Sequence, residues 1–317
     1  MNYDEFKKAV TLKFMDFMPD KYQEMELCIN PVYKINESLD AISLNSGKGR
    51  CVSPTLYIND MYDTYVETGN LSETLRKAAE AMDMAFGKIP SEMNIDLNAN
   101  AKDNIIFQVV NTEQNKKLLN NVPHREFLDL SIIYRLVIKV DKFEMYSTII
   151  FNPIAEQYNM SEEELFNCAI ENTERIFKPT VMSMHEFVKK LVAGREIPVE
   201  MADIVHMMYE APDDKMLWVL SNEKRLDGAG CILYENLLHK LAERLGTNLY
   251  IIPASINECI AVSTNMADLS ELEKMVRVIN ANELDLKDRL SNRIYLYDKV
   301  LRKLTFATES VDRSIEI

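Results

Sequence analysis

Residues 216–265 read MLWVLSNEKRLDGAGCILYENLLHKLAERLGTNLYIIPASINECIAVSTN. An apolar run is followed by a polar loop, then by an amphipathic stretch, and then by two β-favouring runs around the polar turn PASINE. One apolar stripe at helical spacing runs through Tyr234, Leu237, Leu238, Leu241 and Leu245. Gly246 follows it, where a left-handed residue typically ends a helix. The stretch therefore predicts a strand, a helix over 231–245, and a hairpin of strands 249–253 and 259–263.

The first hundred residues predict a smaller lobe. Phe6, Val10, Phe14 and Phe17 lie on one helical face that ends at Pro19. Three short β-favouring runs over 23–45, separated by Pro31 and Glu37-Ser38, predict an antiparallel meander. Two helices are expected over 54–68 and 71–86, and residues 88–103 form the predicted linker, with a boundary near Asn100.

A larger body follows over 101–317. Strands are expected over 104–110, within 122–140 and over 145–151, and period-two apolar residues mark the long one: Leu128, Leu130, Ile132, Tyr134, Leu136 and Ile138. Ser161 and Glu164 form a capping box that opens a helix ending before Pro179. Shorter helical patterns cover 182–192 and 199–210, and another helix spans 268–283. The sequence therefore predicts an α+β fold with mixed, largely antiparallel sheets packed with amphipathic helices.

Composition restricts the class of protein. Of 317 residues, 47% are hydrophobic and 27% charged, which is ordinary for a globular protein and argues against general disorder. The net charge of −14 argues against direct nucleic-acid binding and leaves a basic protein partner open. No apolar run approaches the roughly 18 residues of a membrane span, and the start lacks a signal-peptide core. A cytoplasmic protein without membrane attachment is expected.

Familiar catalytic and metal-binding patterns are missing. The five cysteines are odd in number and widely spaced, which predicts free thiols. Ser255, Cys231, Cys259 and His239 show no nucleophile-elbow or cysteine-protease spacing. The pair His206 and Glu210 is more typical of a helix contact than of a metal site. We therefore expect no metal and no cofactor.

Two glycine-containing segments could hold an anion. Ser46-Gly47-Lys48-Gly49-Arg50 lacks the spacing of a phosphate-binding loop and is more typical of a hairpin turn. Gly228 and Gly230, at a helix start with Lys224 and Arg225 upstream, could present free N–H groups to a phosphate. Asp227 opposes an anion by its charge and is a natural N-cap residue, so capping is favoured there.

Three segments supply the candidate binding residues. His124, Arg125 and Asp129 belong to a dense polar cluster at the entry to the long strand, although a solvated strand entry would look the same. A concave site shared by residues 124–131, 221–230 and 253–259 would bring all three segments together. Its full set of candidates is His124, Arg125, Asp129, Asn222, Gly228, Gly230, Ser255, Asn257 and Glu258.

Methionines are concentrated between residues 181 and 218. Flexible thioethers suit adaptable partner-binding surfaces, but they fill irregular cores equally well. The sequence leaves both interpretations open for Met182, Met184, Met201, Met207, Met208 and Met216.

Several segments resemble an uncharacterised bacterial family, domain of unknown function number 5688. The resemblance rests on PTLYINDMYDTYVETG at 54–69, NVPHREFLDLSIIYRL at 121–136, SEEELFNCAIENT at 161–173, WVLSNEKRLDGAG at 218–230, YIIPASINECI at 250–260 and LSNRIYLYD at 290–298. It implies no established activity. The usual family form of the turn looks like Pro-Ser-Ser-Ile-His-Glu, so Asn257 stands here at a histidine position. Asparagine cannot replace histidine as a general base, which disfavours catalysis by this member at that position.

Two functions remain to be compared. The favoured hypothesis is an acidic binding or regulatory protein, without catalytic activity, that acts through a protein partner. The alternative is a hydrolase or transferase of unfamiliar design, using the 253–259 turn with His124 and Asp129. In both hypotheses the turn containing Asn257 is expected to lie exposed at one end of a sheet.

Overall fold

The computed structural model describes residues 1–45, 54–88, 101–140, 145–191, 215–266, 268–282 and 284–308. The chain divides into two compact units, Met1–Asp96 and Leu97–Ile317. Each unit combines helices with antiparallel strands, so the predicted α+β class is confirmed.

The first unit consists of a three-stranded antiparallel sheet, in the order β1-β2-β3, and three helices. The elements are α1 (Tyr3–Lys13), β1 (Glu26–Lys34), β2 (Glu37–Asn45), β3 (Thr55–Tyr57), α2 (Ile58–Thr68) and α3 (Leu71–Lys88). Asn2 caps α1 and shares a capping box with Glu5. Phe6, Val10 and Phe14 are fully buried in one core with Ile42, which confirms the predicted helix face.

Three details of the first unit differ from the sequence prediction. Residues 55–57, which were predicted to start a helix, form β3, and α2 begins at Ile58. The predicted helix over 5–18 ends at Lys13, and a 3-10 helix continues over Phe14–Phe17. The meander has two nine-residue strands where the sequence suggested three, because Pro31 lies inside β1. Since β1 is an edge strand, a missing proline N–H removes no bond from the sheet interior.

The second unit contains two antiparallel sheets. Its first part comprises β4 (Ile105–Asn111), α4 (Lys116–Leu119), β5 (His124–Phe127), β6 (Leu130–Val140), β7 (Met145–Ile149), α5 (Asn152–Gln157), α6 (Glu162–Ile176), β8 (Pro179–Ser183) and α7 (Met184–Leu191). Its second part comprises β9 (Trp218–Asn222), α8 (Glu235–Leu245), β10 (Leu249–Ile252), β11 (Cys259–Ser263), α9 (Leu269–Asn282), β12 (Tyr295–Asp298) and β13 (Lys303–Phe306).

Strand pairing defines the two sheets. One has six strands in the order β13-β12-β10-β11-β9-β8. In the other, β6 pairs with β4, and with both β5 and β7 at different positions along its length. Leu128 lies between β5 and β6 and has a left-handed φ of 59°. The prediction that it belongs to the long strand is therefore wrong. Ile138, also placed on the apolar face, is 47% exposed beside a bulge.

A single large hydrophobic core draws on both sheets and on helices α6 and α8. Its buried members include Phe107, Ile132, Tyr134, Leu165, Ala169, Leu220, Leu238, Leu241, Ile251, Ala261 and Tyr295. The helix of the central stretch therefore buries the predicted stripe, and Gly246 ends it with a φ of 70°. The preceding residues Gly228–Leu233 form a 3-10 helix, so α8 starts four residues later than predicted.

Several predictions fall outside the described residues. They are the Ser46–Arg50 turn, most of the 88–103 linker, the helical pattern over 199–210 with His206 and Glu210, and Met201, Met207 and Met208. Met182, Met184 and Met216 are each partly buried. In the part of the chain that the structure describes, every helix is too short or too polar to cross a membrane.

Candidate functional site

The loop after β9 and the connection between β10 and β11 lie against each other. The Ser221 hydroxyl donates a hydrogen bond to the Asn257 carbonyl oxygen over 2.7 Å. The Asp227 N–H donates to the Asn257 side-chain oxygen at 3.1 Å, and the Ala229 N–H donates to the Ile256 carbonyl at 3.1 Å. The predicted segments 221–230 and 253–259 therefore meet in the folded chain.

The connection at residues 253–258 is also bonded internally. The Ser255 hydroxyl donates to Glu258 Oε1 at 2.7 Å and accepts from the Asn257 N–H at 3.0 Å. The Ser255 N–H donates to the Glu258 carbonyl, and the Ile256 N–H donates to the Asp288 carbonyl. The strands on either side are as predicted, but Ser255 is only 3% exposed and none of the six residues is an exposed one. The prediction of an exposed turn is therefore wrong, because the polar atoms of these residues form hydrogen bonds with other protein groups.

Gly228 and Gly230 allow close packing. A Cβ atom at Gly228 would lie 2.3 Å from the Ser221 hydroxyl and 2.4 Å from the Asn257 carbonyl oxygen. A Cβ at Gly230 would lie 2.5 Å from the Phe107 ring. Both glycines are buried, so this geometry gives the phosphate interpretation no support.

Asp227 is the first residue before the 3-10 helix, but its side chain makes no cap bond. It has a left-handed φ of 52°, and its carboxylate accepts a hydrogen bond from the Gln108 amide. The Arg135 guanidinium donates to the Gln108 side-chain oxygen at 2.8 Å and to the Ser147 hydroxyl at 2.9 Å. Burial raises the pKa of Asp227, although the nearby Arg135 charge and the Gln108 hydrogen bond oppose that shift.

This polar network connects the loop after β9 with β4, β6 and β7, and sequence reasoning missed it. A usable signal was present, since Gln108 is the lone polar residue between Ile105 and Val110. Gln108 is 1% exposed, and a buried amide of this kind requires partners. The sequence could have indicated that a network exists, but it could not have identified Asp227 or Arg135 as members.

Asn222 organises its own loop. Its side-chain oxygen accepts hydrogen bonds from the N–H groups of Lys224 (3.0 Å) and Leu226 (3.3 Å). Its amide donates to the Leu226 carbonyl at 2.7 Å, and the residue is 6% exposed. These bonds give Asn222 a structural role in holding residues 223–226.

Arg125 faces helix α6. Arg125 makes a two-pronged ion pair with Glu162, at 3.0 and 2.8 Å, and the Tyr134 hydroxyl donates to the same carboxylate. Burial would raise the pKa of Glu162, but the hydrogen bonds from Arg125 and Tyr134 outweigh it and hold that pKa below its usual value. The His124 Nδ1 atom lies 3.0 Å from the Val122 carbonyl oxygen.

The Asp129 carboxylate has hydrogen-bond partners in a different part of the chain. Its two carboxylate oxygens accept hydrogen bonds from the Ser291 hydroxyl and the Tyr295 hydroxyl, each at 2.6 Å. The cluster that the sequence placed together is therefore divided, with Arg125 held by α6 and Asp129 held next to β12. The connection between Asp288 and Ser291 is the segment that contacts both the 253–258 turn and Asp129.

The two cysteines of this region are buried thiols. Burial raises the pKa of Cys231 and of Cys259 well above the ordinary value. Cys259 donates weakly to the Ala229 carbonyl at 3.7 Å. A thiol with a raised pKa stays protonated near neutral pH and is a poor nucleophile. Among the described residues, no group of three His, Cys, Asp or Glu side chains is arranged to hold a metal ion.

Comparison with known proteins identifies a family for this chain. No curated protein and no solved structure is detectably similar to this chain. Residues 3–299 match the model of a family described as "Family of unknown function (DUF5688)". Because the match covers nearly the whole sequence, the chain belongs to this family of unknown function.

Proposed function

We propose that this chain is a binding or regulatory protein that acts through a protein partner and carries out no catalysis. The main support is that the polar candidate residues already form hydrogen bonds within the fold. All seven polar ones, His124, Arg125, Asp129, Asn222, Ser255, Asn257 and Glu258, have hydrogen-bond partners within the protein. Groups already bonded in this way hold the structure together, and a substrate would have to compete for them.

The alternative, a hydrolase or transferase, is favoured by one contact. The Ser255 hydroxyl lies 2.7 Å from the Glu258 carboxylate, which is the distance that a nucleophile and a general base require. Two observations weigh against it. Ser255 is 3% exposed, so a substrate has little access, and the hydrogen bonds of His124 and Asp129 go to Val122, Ser291 and Tyr295 rather than to Ser255 or Glu258.

Charge and thiol chemistry support the rest of the proposal. A net charge of −14 is complementary to a basic partner and would accelerate encounter with it, most strongly at low salt. Cys28, Cys168, Cys231 and Cys259 are free thiols, as is usual in a reducing compartment. A cytoplasmic location is therefore part of the proposal.

Turnover assays test the absence of catalysis. The purified full-length chain and its Ser255→Ala variant would be compared on ester, phosphomonoester, glycoside and peptide substrates below the melting temperature of both. We expect equal background rates. Turnover by the unmodified chain that Ser255→Ala abolishes would overturn the proposal in favour of the alternative.

Affinity capture tests the presence of a partner. The tagged full-length chain, expressed at its native level, should copurify with one protein in a constant ratio, and the complex should re-form from the two purified proteins. Failure to recover a stoichiometric partner under gentle lysis would contradict a role in protein binding.

A further inference from the structure

The connection between β12 and β13, residues 299–302, carries two adjacent aliphatic side chains into solvent. Val300 is 81% exposed and Leu301 is 73% exposed. Single exposed aliphatic residues are common, but two neighbours at the end of a hairpin form a small projecting apolar surface. We call residues 299–302 the hairpin tip.

The backbone of the hairpin tip is held in place. One carboxylate oxygen of Asp298 accepts hydrogen bonds from the N–H groups of Val300 (2.8 Å) and Leu301 (2.9 Å). The Lys299 N–H donates to the Asn248 side-chain oxygen at 3.1 Å, and Arg302 has a left-handed φ of 51°. A surface fixed before binding loses little conformational entropy when it docks.

Positive charges flank the two aliphatic residues. Lys299, Arg302 and Lys303 lie within five consecutive positions that contain no acidic residue. Lys299 pairs with Glu243 at 3.6 Å, and Arg302 pairs with Glu235 at 3.5 Å. Exposed pairs at these distances contribute about 0–1 kcal/mol, so both cations can exchange their partners for new carboxylates.

We propose that the hairpin tip inserts Val300 and Leu301 into an apolar cleft of a protein partner whose rim carries carboxylates. This inference rests on the proposed function, because it specifies where the partner binds. Although the whole chain is acidic, salt screens charges beyond about 8 Å, so contact selectivity depends on the cations of the tip. An anionic membrane would offer phosphate charges to the same cations, so vesicle binding is included as an arm of the test.

Site-specific photo-crosslinking tests the proposal. A benzophenone amino acid would replace Val300 in the full-length chain expressed in native host cells. The matched control position is Leu12 in the first unit, which is 79% exposed. We expect one protein to crosslink from position 300 and not from position 12, with the crosslinked peptide in an apolar cleft bordered by Asp or Glu.

Binding to the crosslinked protein, once purified, gives the quantitative test. The double variant Val300→Ser, Leu301→Ser should weaken binding at least about tenfold, or about 1.4 kcal/mol, whereas Leu12→Ser should leave the affinity unchanged. Arg302→Glu should also weaken binding, and the loss of affinity should be larger at low salt than at high salt.

Other outcomes would overturn this inference. One is a crosslink from position 300 to a second copy of this chain, and another is equal binding by the double variant. A third is that the unmodified chain binds vesicles of equal parts phosphatidylcholine and phosphatidylglycerol while the double variant does not. A partner that binds normally to the double variant would leave the proposed function standing and reject only the hairpin tip. Substrate turnover that depends on Ser255 would instead reject the proposed function.

Discussion

Two connections lie at opposite ends of the six-stranded sheet. In both of them the exposure of the side chains is the reverse of what their polarity predicts. Residues 253–258 look polar and turn-like, yet they are buried or half-buried and bonded to β9, to Asp227 and to Asp288. Residues 299–302 contain Val300 and Leu301, yet these two are among the most exposed of the large hydrophobic residues that the structure describes. The polarity of a turn therefore does not decide its role, which depends on the protein groups to which its atoms bond.

The substitution Gly228→Ala should have the largest effect on this comparison. The new Cβ would lie 2.4 Å from the main-chain oxygen of Asn257, so the loop after β9 and the 253–258 connection must separate. We expect a loss of about 3 kcal/mol in the free energy of unfolding, at the upper end for overpacked sites. Denaturant unfolding followed by circular dichroism measures it.

Gly87→Ala provides the control for that substitution. A Cβ at Gly87, in helix α3, meets no atom within 4 Å, and alanine favours helix, so unchanged or slightly higher stability is expected. Equal effects of the two substitutions would show that the contact at Gly228 is not tight.

Asn257→Ala should have the next largest effect. It leaves the Asp227 N–H without its acceptor in a partly buried place, so stability should fall by about 1–2 kcal/mol. Thermal unfolding would detect the change. If the melting temperature is unaffected, the 253–258 connection is no more than a surface turn, and the contrast with the hairpin tip disappears.

A smaller, pH-dependent effect is expected from Asp227→Asn. Because burial raises the folded-state pKa of Asp227 above 3.8, the folded chain binds more protons than the unfolded chain in the window above that pH. The stability that this raised pKa contributes is fully present below the pKa of Asp227 in the unfolded chain. It is lost as the pH rises through the pKa of Asp227 in the folded chain. Asparagine tolerates a left-handed φ and keeps an oxygen for Gln108.

Unfolding curves of the two proteins between about pH 4 and pH 7 test this sign. The stability of Asp227→Asn relative to the unmodified chain should increase with pH. A decrease over the same range would mean that attraction to Arg135 outweighs burial.

The smallest effect on stability is expected at the hairpin tip. Val300→Ser combined with Leu301→Ser removes apolar groups that are already in water, so the free energy of unfolding should change by less than about 0.5 kcal/mol. Differential scanning calorimetry measures this. A larger loss would mean that the two side chains pack against the protein, which would remove the basis for a docking role.

The sequence predicted those elements of the fold whose side-chain spacing is regular. The helix of 216–265 followed from the Leu238–Leu245 stripe, and its strands followed from the β-favouring runs on either side. The capping box at Ser161 and Glu164 forms as expected. The errors occurred where long-range pairing decides the outcome. Pro31 was taken as a break because its edge position could not be known, and Leu128 was taken as part of a strand because its neighbours alternate.

The candidate site was harder to predict than the fold. The sequence brought together segments 221–230 and 253–259, which do meet, but the reason for their contact is packing at Gly228 rather than a ligand pocket. It grouped Asp129 with Arg125, whereas their partners Tyr295 and Glu162 lie far away in sequence. Partners 37 and 166 residues apart leave no local pattern from which one sequence can identify them.

The contact at Gly228 also limits which substitutions this position can accept. The atom that a Cβ would meet at 2.4 Å is a main-chain oxygen, which every residue supplies, so replacing Asn257 with any other residue would not relieve the crowding. Position 228 therefore requires glycine whatever side chain stands at 257. A change of the side chain at 257 would alter the acceptor for the Asp227 N–H, and with it the geometry of the Asp227 carboxylate.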